Sequence, residues 1–408
     1  MRRDAIALWI SCHTKIYDAY RCERGDLVRR LLVLLFCSCI TGSLAAQILD
    51  ASVCEILANP QSFDGKIVRV KGMVSAGFDE FVVKDATCNQ AVNAIWLDYP
   101  EGTKGKAGPA AFVQLQLGRN NNNAVAPSVS RSPVELDKNK DFKDLDSLLS
   151  TPYKTGGMCL GCIRYTVVAT LVGRLDGAKE AGVLRDGAGK IVSANGYGNL
   201  NLYRSRLVLQ AISDVSAHEI DYSKVSSATK DDSARESSSG DPVATAHQAA
   251  RAFNPGSQAA KQVERSAAAF GKEGEDNGVE VAFGASNEVP KSDSMRGDKN
   301  SPDGLLFNCT FDMDKLKGEA LARAISHVGT HIADLREPQP AEAGANAYNL
   351  EYRAWQTTVL SAVAFQQKTL TLSGGYLVWN SAWPAADRSK MVDDGIASFL
   401  TDWAVLKK

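Results

Sequence analysis

The stretch "RYTVVATLVGRLDG", residues 164–177, constrains the fold more than any other part of the chain. Val167, Ala169 and Leu171 alternate with Thr166, Val168, Thr170 and Val172, so a strand over this run is largely apolar on both faces. An antiparallel sheet with one wet face would show polar residues at every second position. The pattern fits a small closed barrel instead.

The neighbouring segments extend that expectation. In "SVCEILANPQSFDGKIVRVKGMVSA", Val53, Ile56 and Leu57 suggest a short helix, stopped by Asn59-Pro60 and followed by a turn at Asp64-Gly65. The next run alternates, with Val68, Val70 and Val74 on one face and Arg69 and Lys71 on the other. Gly72 interrupts it where a bulge or bend would serve. "EFVVKDA", "NAIWLDYP" and "AFVQLQLG" read as short strands, "FKDLDSLLS" as an amphipathic helical piece and "SRLVLQAISDVSA" as a further strand. The loop "RNNNNAVAPSVSRSP" has no core pattern.

Five or six strands, a bent first strand and a helical piece before the fourth long strand resemble an OB-fold. "EILANPQSFDGKIVRVKGMV", with "AIWLDYP" after it, is similar to the OB-like domains of secreted bacterial proteins, a class largely without assigned function. The resemblance covers about residues 50–220 and implies an OB-like β-barrel domain over 50–222. Residues 100–164 are a long insertion for such a barrel. The fold hosts many functions, so the resemblance by itself implies none.

Compartment is read from the N-terminus. Arg29-Arg30 precedes "LLVLLFCSCITGSLAAQ", an apolar run of signal-peptide length whose small residues suit cleavage after Ala45 or Ala46. The run is short for a membrane span. Residues 1–46 are therefore read as a signal region, with 1–26 upstream of an alternative start at Leu27 or Val28. A periplasmic or extracellular protein is expected, with no transmembrane segment in the mature chain. Removing residues 1–46 takes seven of the 46 Lys and Arg and four of the 47 Asp and Glu, leaving a net charge of about −4. That balance argues against a nucleic-acid partner, which calls for a basic excess.

Two further segments follow the barrel. Residues 223–300, dominated by Ser, Ala, Asp, Lys and Gly, read as a flexible linker, with "VATAHQAARAF" and "QAAKQVERSAAAF" as transient helices at most. Apolar periodicity returns at Leu305, and residues 301–408 read as a smaller α+β domain. Its opening "LLFNCTF" is strand-like. The helix "DKLKGEALARAISHVGTHIADLR" carries Leu321, Ile325, Val328, Ile332 and Leu335 as one apolar stripe, with Asp312 or Asp314 as the expected cap. "LEYRAWQTTVLSAVAFQQK" reads as a second helix, "KTLTLSGGYLVWN" as a hairpin, and a last helix starts near Pro384. The expected fold class is thus β plus α+β.

Candidate chemistry is sparse. The chain beyond residue 46 has five cysteines, and four of them, Cys54, Cys88, Cys159 and Cys162, lie in the first domain. In an exported domain that even number suggests disulfides, Cys54 with Cys88 and Cys159 with Cys162, leaving Cys309 free or buried. A redox Cys-x-x-Cys stands at a helix N-terminus, whereas Cys162 leads into a strand. His327 and His331, four apart on a helix, project on one side, and Asp334 extends the row. Two imidazoles and a carboxylate are metal-ligand types, but the Glu of a zinc-hydrolase motif is missing beside His327, where Val328 stands. The expectation is that both histidines flank the core stripe, half exposed, without a metal. "GYGNLN" at 196–201 lacks the third glycine of a dinucleotide fingerprint, and "GAGKIV" at 187–192 is too short for a phosphate loop. Tyr376, Trp379 and Trp383 could stack on a sugar, though such residues more often anchor a core.

No catalytic residue and no cofactor are assigned from these signals. The sequence favours an exported binding or scaffold protein whose partner is an unidentified protein or small ligand. A metal-dependent hydrolase centred on His327 and His331 is the alternative.

Overall fold

The computed structural model describes residues between Ile48 and Ser361, apart from 86, 89–93, 104, 118–130, 132, 152–163, 220–241, 252, 272–276, 285–300, 302, 317, 338–349, 351–352 and 359. Cys159, Cys162, Tyr376, Trp379, Trp383, the expected hairpin and the last helix lie outside them. No helix among the described residues is long and apolar enough to cross a membrane.

A closed barrel of five strands forms the first layer: β2 (Ile67–Ala76), β3 (Phe81–Lys84), β4 (Ala94–Asp98), β6 (Tyr165–Gly177) and β9 (Ser205–Glu219). β2 pairs antiparallel with β3, and β3 with β4. β4 runs parallel to β9, β9 antiparallel to β6, and β6 closes on β2. This strand order is compatible with the expected OB-like barrel. The two-residue strand β1 (Leu49–Asp50) lies parallel to β2.

Alternation decides what fills the barrel. Val68, Val70 and Val74 of β2 point inward with Val167, Ala169, Leu171 and Leu175 of β6 and with Leu207, Leu209 and Ile212 of β9. Arg69 and Lys71 point out and are exposed, as the sequence implied. The glycine in β2 has a packing reason. A Cβ on Gly72 would lie 2.7 Å from Val83 Cγ2 and 3.0 Å from Lys84 O. Helices α1 (Val53–Ala58) and α2 (Lys140–Ser150) add Val53, Ile56, Leu57, Phe142 and Leu145 to the same core. A Ser52–Glu55 capping box starts α1. At the start of α2, Asn139 Oδ1 accepts from Phe142 N–H while its Nδ2 donates to Ile212 O of β9.

The insertion after β4 supplies β5 (Ala111–Leu117), which does not join the barrel. It pairs antiparallel, over its whole length, with β11 (Leu305–Phe311), and β10 (Val279–Phe283) adds parallel to β11. Helices α3 (Pro242–Ala250), α4 (Gln258–Ala268) and α5 (Glu319–Arg336) pack with this sheet. Their shared core contains Val113, Leu115, Phe253, Val263, Phe307, Phe311, Ile325, Val328 and Ile332. A hairpin of β7 (Gly182–Arg185) and β8 (Ile191–Asn195) stands between β6 and β9.

Two expectations change here. The stretch expected to be linker carries α3, α4 and β10 over residues 242–283, because alanines at helical spacing bury a small-residue face. Ala246, Ala249, Ala259, Ala260, Val263 and Ala267 are all buried. The β5–β11 pairing and the shared core also cross the expected boundary. The second change concerns α5. Its expected stripe is buried in full, but Gly318 occupies the N-cap position without a side-chain cap. Asp312 instead closes the preceding turn, where its carboxylate accepts from Asp314 N–H and its carbonyl from Leu316 N–H.

Candidate functional site

Burial around α5 is wider than one stripe. Beside the apolar row, Ser326, His327, Thr330, His331 and Asp334 are also buried. Gly329 makes this possible on the α4 side, since a Cβ there would collide with the backbone oxygen of Ser266. Ser266 donates its hydroxyl hydrogen to Ser326 O, and Thr330 and Ser361 hydroxyls donate to Ser326 at 2.9 and 2.8 Å. Small polar residues thus let two helices meet closely, and the histidines occupy an adjoining face.

His327 and His331 are 1% and 0% exposed, not half exposed as the helical pattern suggested. The reason is tertiary: α5 is covered on more sides than a surface helix. Phe78, from the β2–β3 turn of the barrel, stands edge-on to the His327 ring at 5.0 Å. Trp355, on helical residues 353–358, stands edge-on to the same ring at 4.8 Å. Phe78 and Trp355 also touch each other, at 5.3 Å between centroids. Aromatic rings from two layers therefore wall in the imidazoles.

Inside that wall the hydrogen bonds fix the chemistry of His327. Thr358 spends its hydroxyl hydrogen on Ala354 O at 2.9 Å, so its oxygen accepts from His327 Nδ1–H at 3.1 Å. The Nε2 lone pair of His327 then faces Nε2 of His331, 3.0 Å away. Burial pushes the His327 imidazole down to about 3. Burial, followed by the neighbouring His327 and Arg353, holds His331 well below the ordinary histidine value. Burial thus favours the neutral form of both rings.

The carboxylate beside them is not the one the sequence offered. Asp334 is buried, but its oxygens accept from Arg265 Nη2 at 2.8 Å and Arg353 Nε at 2.6 Å. It belongs to an ion-pair group with Glu337, which accepts from Arg265 Nε. Asp79, next to Phe78 in the β2–β3 turn and 8% exposed, takes the place instead. Donor atoms of Asp79, His327 and His331 all lie within 4.8 Å of one another. Asn199 Nδ2 donates to Asp79 Oδ2 at 3.4 Å. Nothing local in "GFDEF" marks Asp79, which lies far from the histidines in sequence; the barrel turn has to fold onto α5 before the three meet.

The cysteines separate cleanly. Cys54 and Cys88 form the expected disulfide, 34 residues apart in sequence, so their proximity to Asp85 leaves no thiolate for a metal. Cys309 is free and buried on β11, and burial raises its thiol well above the ordinary value, which makes it inert.

"GYGNLN" has a structural use that sequence reading missed. It forms a tight turn in which Leu200 and Asn201 take positive φ, at 51° and 59°. Asn199 and Asn201 side-chain oxygens accept from Val113 and Leu115 N–H of β5 at 2.9 and 3.0 Å. Two amides thereby satisfy the strand edge that β11 does not cover.

Comparison with known protein families, with curated proteins and with solved structures gives no match for this chain.

Proposed function

We propose that this chain is an exported, non-catalytic scaffold or binding protein in which an OB-like barrel serves as an internal platform. The observation that carries this reading is the fate of the elements with which such barrels usually bind. OB-like barrels meet their ligands on the face of the second and third strands and on the loops joining strands one to two and four to five. The corresponding strands here are β3 and β4. Val82, Ala94 and Trp96 on their outer face are covered by Phe112, Tyr197, Leu202 and Tyr203 of the same chain. Trp96 lies 5.7 Å from Phe112 and 5.2 Å from Tyr203. The first loop delivers Phe78 and Asp79 into the helical layer, and the second holds the edge of β5.

A partner, whether a protein or a small ligand, would therefore use surfaces other than this face. The deep burial of His327 and His331 supports a non-catalytic role, because a hydrolytic centre keeps an open coordination position for substrate and water. The charge of about −4 beyond residue 46 supports a partner other than nucleic acid. Export is supported by the N-terminal apolar run and by the start of the compact unit at Ile48, just past the expected cleavage site.

The test is fractionation with N-terminal sequencing, followed by turnover assays. The chain made with its own N-terminus should be recovered outside the cytoplasm, beginning after Ala45 or Ala46. It should hydrolyse no ester, phosphoester or peptide substrate, with or without added zinc. Turnover that vanishes in His331→Gln would replace the scaffold reading by the hydrolase. Cytoplasmic recovery with an intact N-terminus would remove the export part.

A further inference from the structure

We infer that Asp79, His327 and His331 together bind a divalent cation of the zinc type, which locks the β2–β3 turn of the barrel onto helix α5. The donor set is two imidazole nitrogens and one carboxylate, all buried and all within 4.8 Å of one another. Two nitrogens bound to a tetrahedral zinc, each at 2.0–2.1 Å, stand about 3.3 Å apart. The two Nε2 atoms lie 3.0 Å apart, a few tenths of an ångström short of that separation.

The surroundings match what a bound cation requires. His327 already donates its other ring hydrogen to Thr358, the partner that orients a ligating imidazole and aims its lone pair at the ion. Asp79 in turn accepts from Asn199, as ligating carboxylates do. Three protein donors leave a fourth position on a tetrahedral ion, and the burial of all three residues keeps that position away from bulk solvent. This inference does not rest on the scaffold proposal, because a structural and a hydrolytic ion would use the same donors and only turnover separates them.

The test uses the full chain purified without a polyhistidine tag. Elemental analysis should find one zinc or related ion per chain. Refolding in a chelator should lower the melting temperature by roughly 5 °C or more, recovered on adding zinc. Cobalt(II) added to the chelated protein should bind at one equivalent, with the intense visible absorption of a tetrahedral site. His331→Gln and Asp79→Asn should each abolish stoichiometric binding. If either variant fails to fold, the wild-type cobalt titration decides. A chelated wild-type protein that takes up no cobalt, and whose melting is indifferent to zinc, overturns the inference. Binding that survives both substitutions overturns it equally, because the ion then sits elsewhere.

Discussion

Asp176, near the end of β6, is fully buried and sits among three arginines. Arg174 Nε donates to its Oδ1 at 2.9 Å and Arg206 Nη2 to its Oδ2 at 2.6 Å, with Arg131 as third partner. Asp64 and Asp98 balance the extra guanidinium charge through Arg131 and Arg206, so the group is a structural network rather than a vacant anion site. Burial by itself would raise the Asp176 carboxyl, but hydrogen bonds from Arg174 and Arg206 and their charge outweigh it and hold the value below the usual range. A carboxyl depressed by folding contributes stability that is present above its unfolded value and lost as pH falls through the folded one. Wild-type protein should therefore lose stability below about pH 4, where unfolded aspartates begin to protonate. Asp176→Asn should cost about 3 kcal/mol at neutral pH, because it removes the buried carboxylate that three part-buried guanidinium groups share. Its acid slope should also be shallower. Urea unfolding of both proteins across pH checks this, and equal stabilities at pH 7 would contradict the role given to Asp176.

Elements show where periodicity was a sufficient guide and where it was not. The alternation in β2 and the 4-3-4-3 row of α5 locate inward faces correctly, because each reports which side of a local repeat avoids water. α3 and α4 read from the sequence only as transient helices, because their buried faces are built of alanine, which gives almost no hydrophobic contrast with an alanine- and serine-rich linker. The disulfide from α1 to the segment after β3 was legible from cysteine count and compartment. It closes a loop with a sequence separation of 34, for which chain entropy gives about 3–4 kcal/mol. Reduction should lower the unfolding free energy of the barrel by that amount, seen as a lower urea midpoint in the fluorescence of Trp96 against a barrel-remote signal. An unchanged midpoint would show that the unfolded chain is already constrained in that region.

At the scale of the molecule, the barrel and the helical layer share β5. Phe112 packs against the barrel's outer face, while Val113 and Leu115 enter the helix-side core. A fragment covering residues 48–222 would keep the barrel strands but expose this second face of β5 and lose β11. It should bind hydrophobic dye, lack a cooperative melt and show weak near-ultraviolet circular dichroism, in contrast to the intact chain. A sharp, two-state melt of the fragment would restore the two independently folding domains that composition suggested.

Local order in the sequence determined most of the barrel, the central helix and the Cys54–Cys88 bridge, since strand alternation, helical stripes and cysteine pairing are all written within short windows. Tertiary structure alone decided three things. It buried the histidines that a helical wheel leaves at the edge of the stripe, because a second barrel-derived surface covers α5. It exchanged Asp334 for Asp79, because two arginines reach Asp334 first while the β2–β3 turn carries Asp79 to the rings. It also covered the outer face of β3 and β4 with the chain's own β5 and with the turn at 197–203. Each depends on segments distant in sequence arriving at one place, and no periodicity of a single segment encodes which distant partner it will meet.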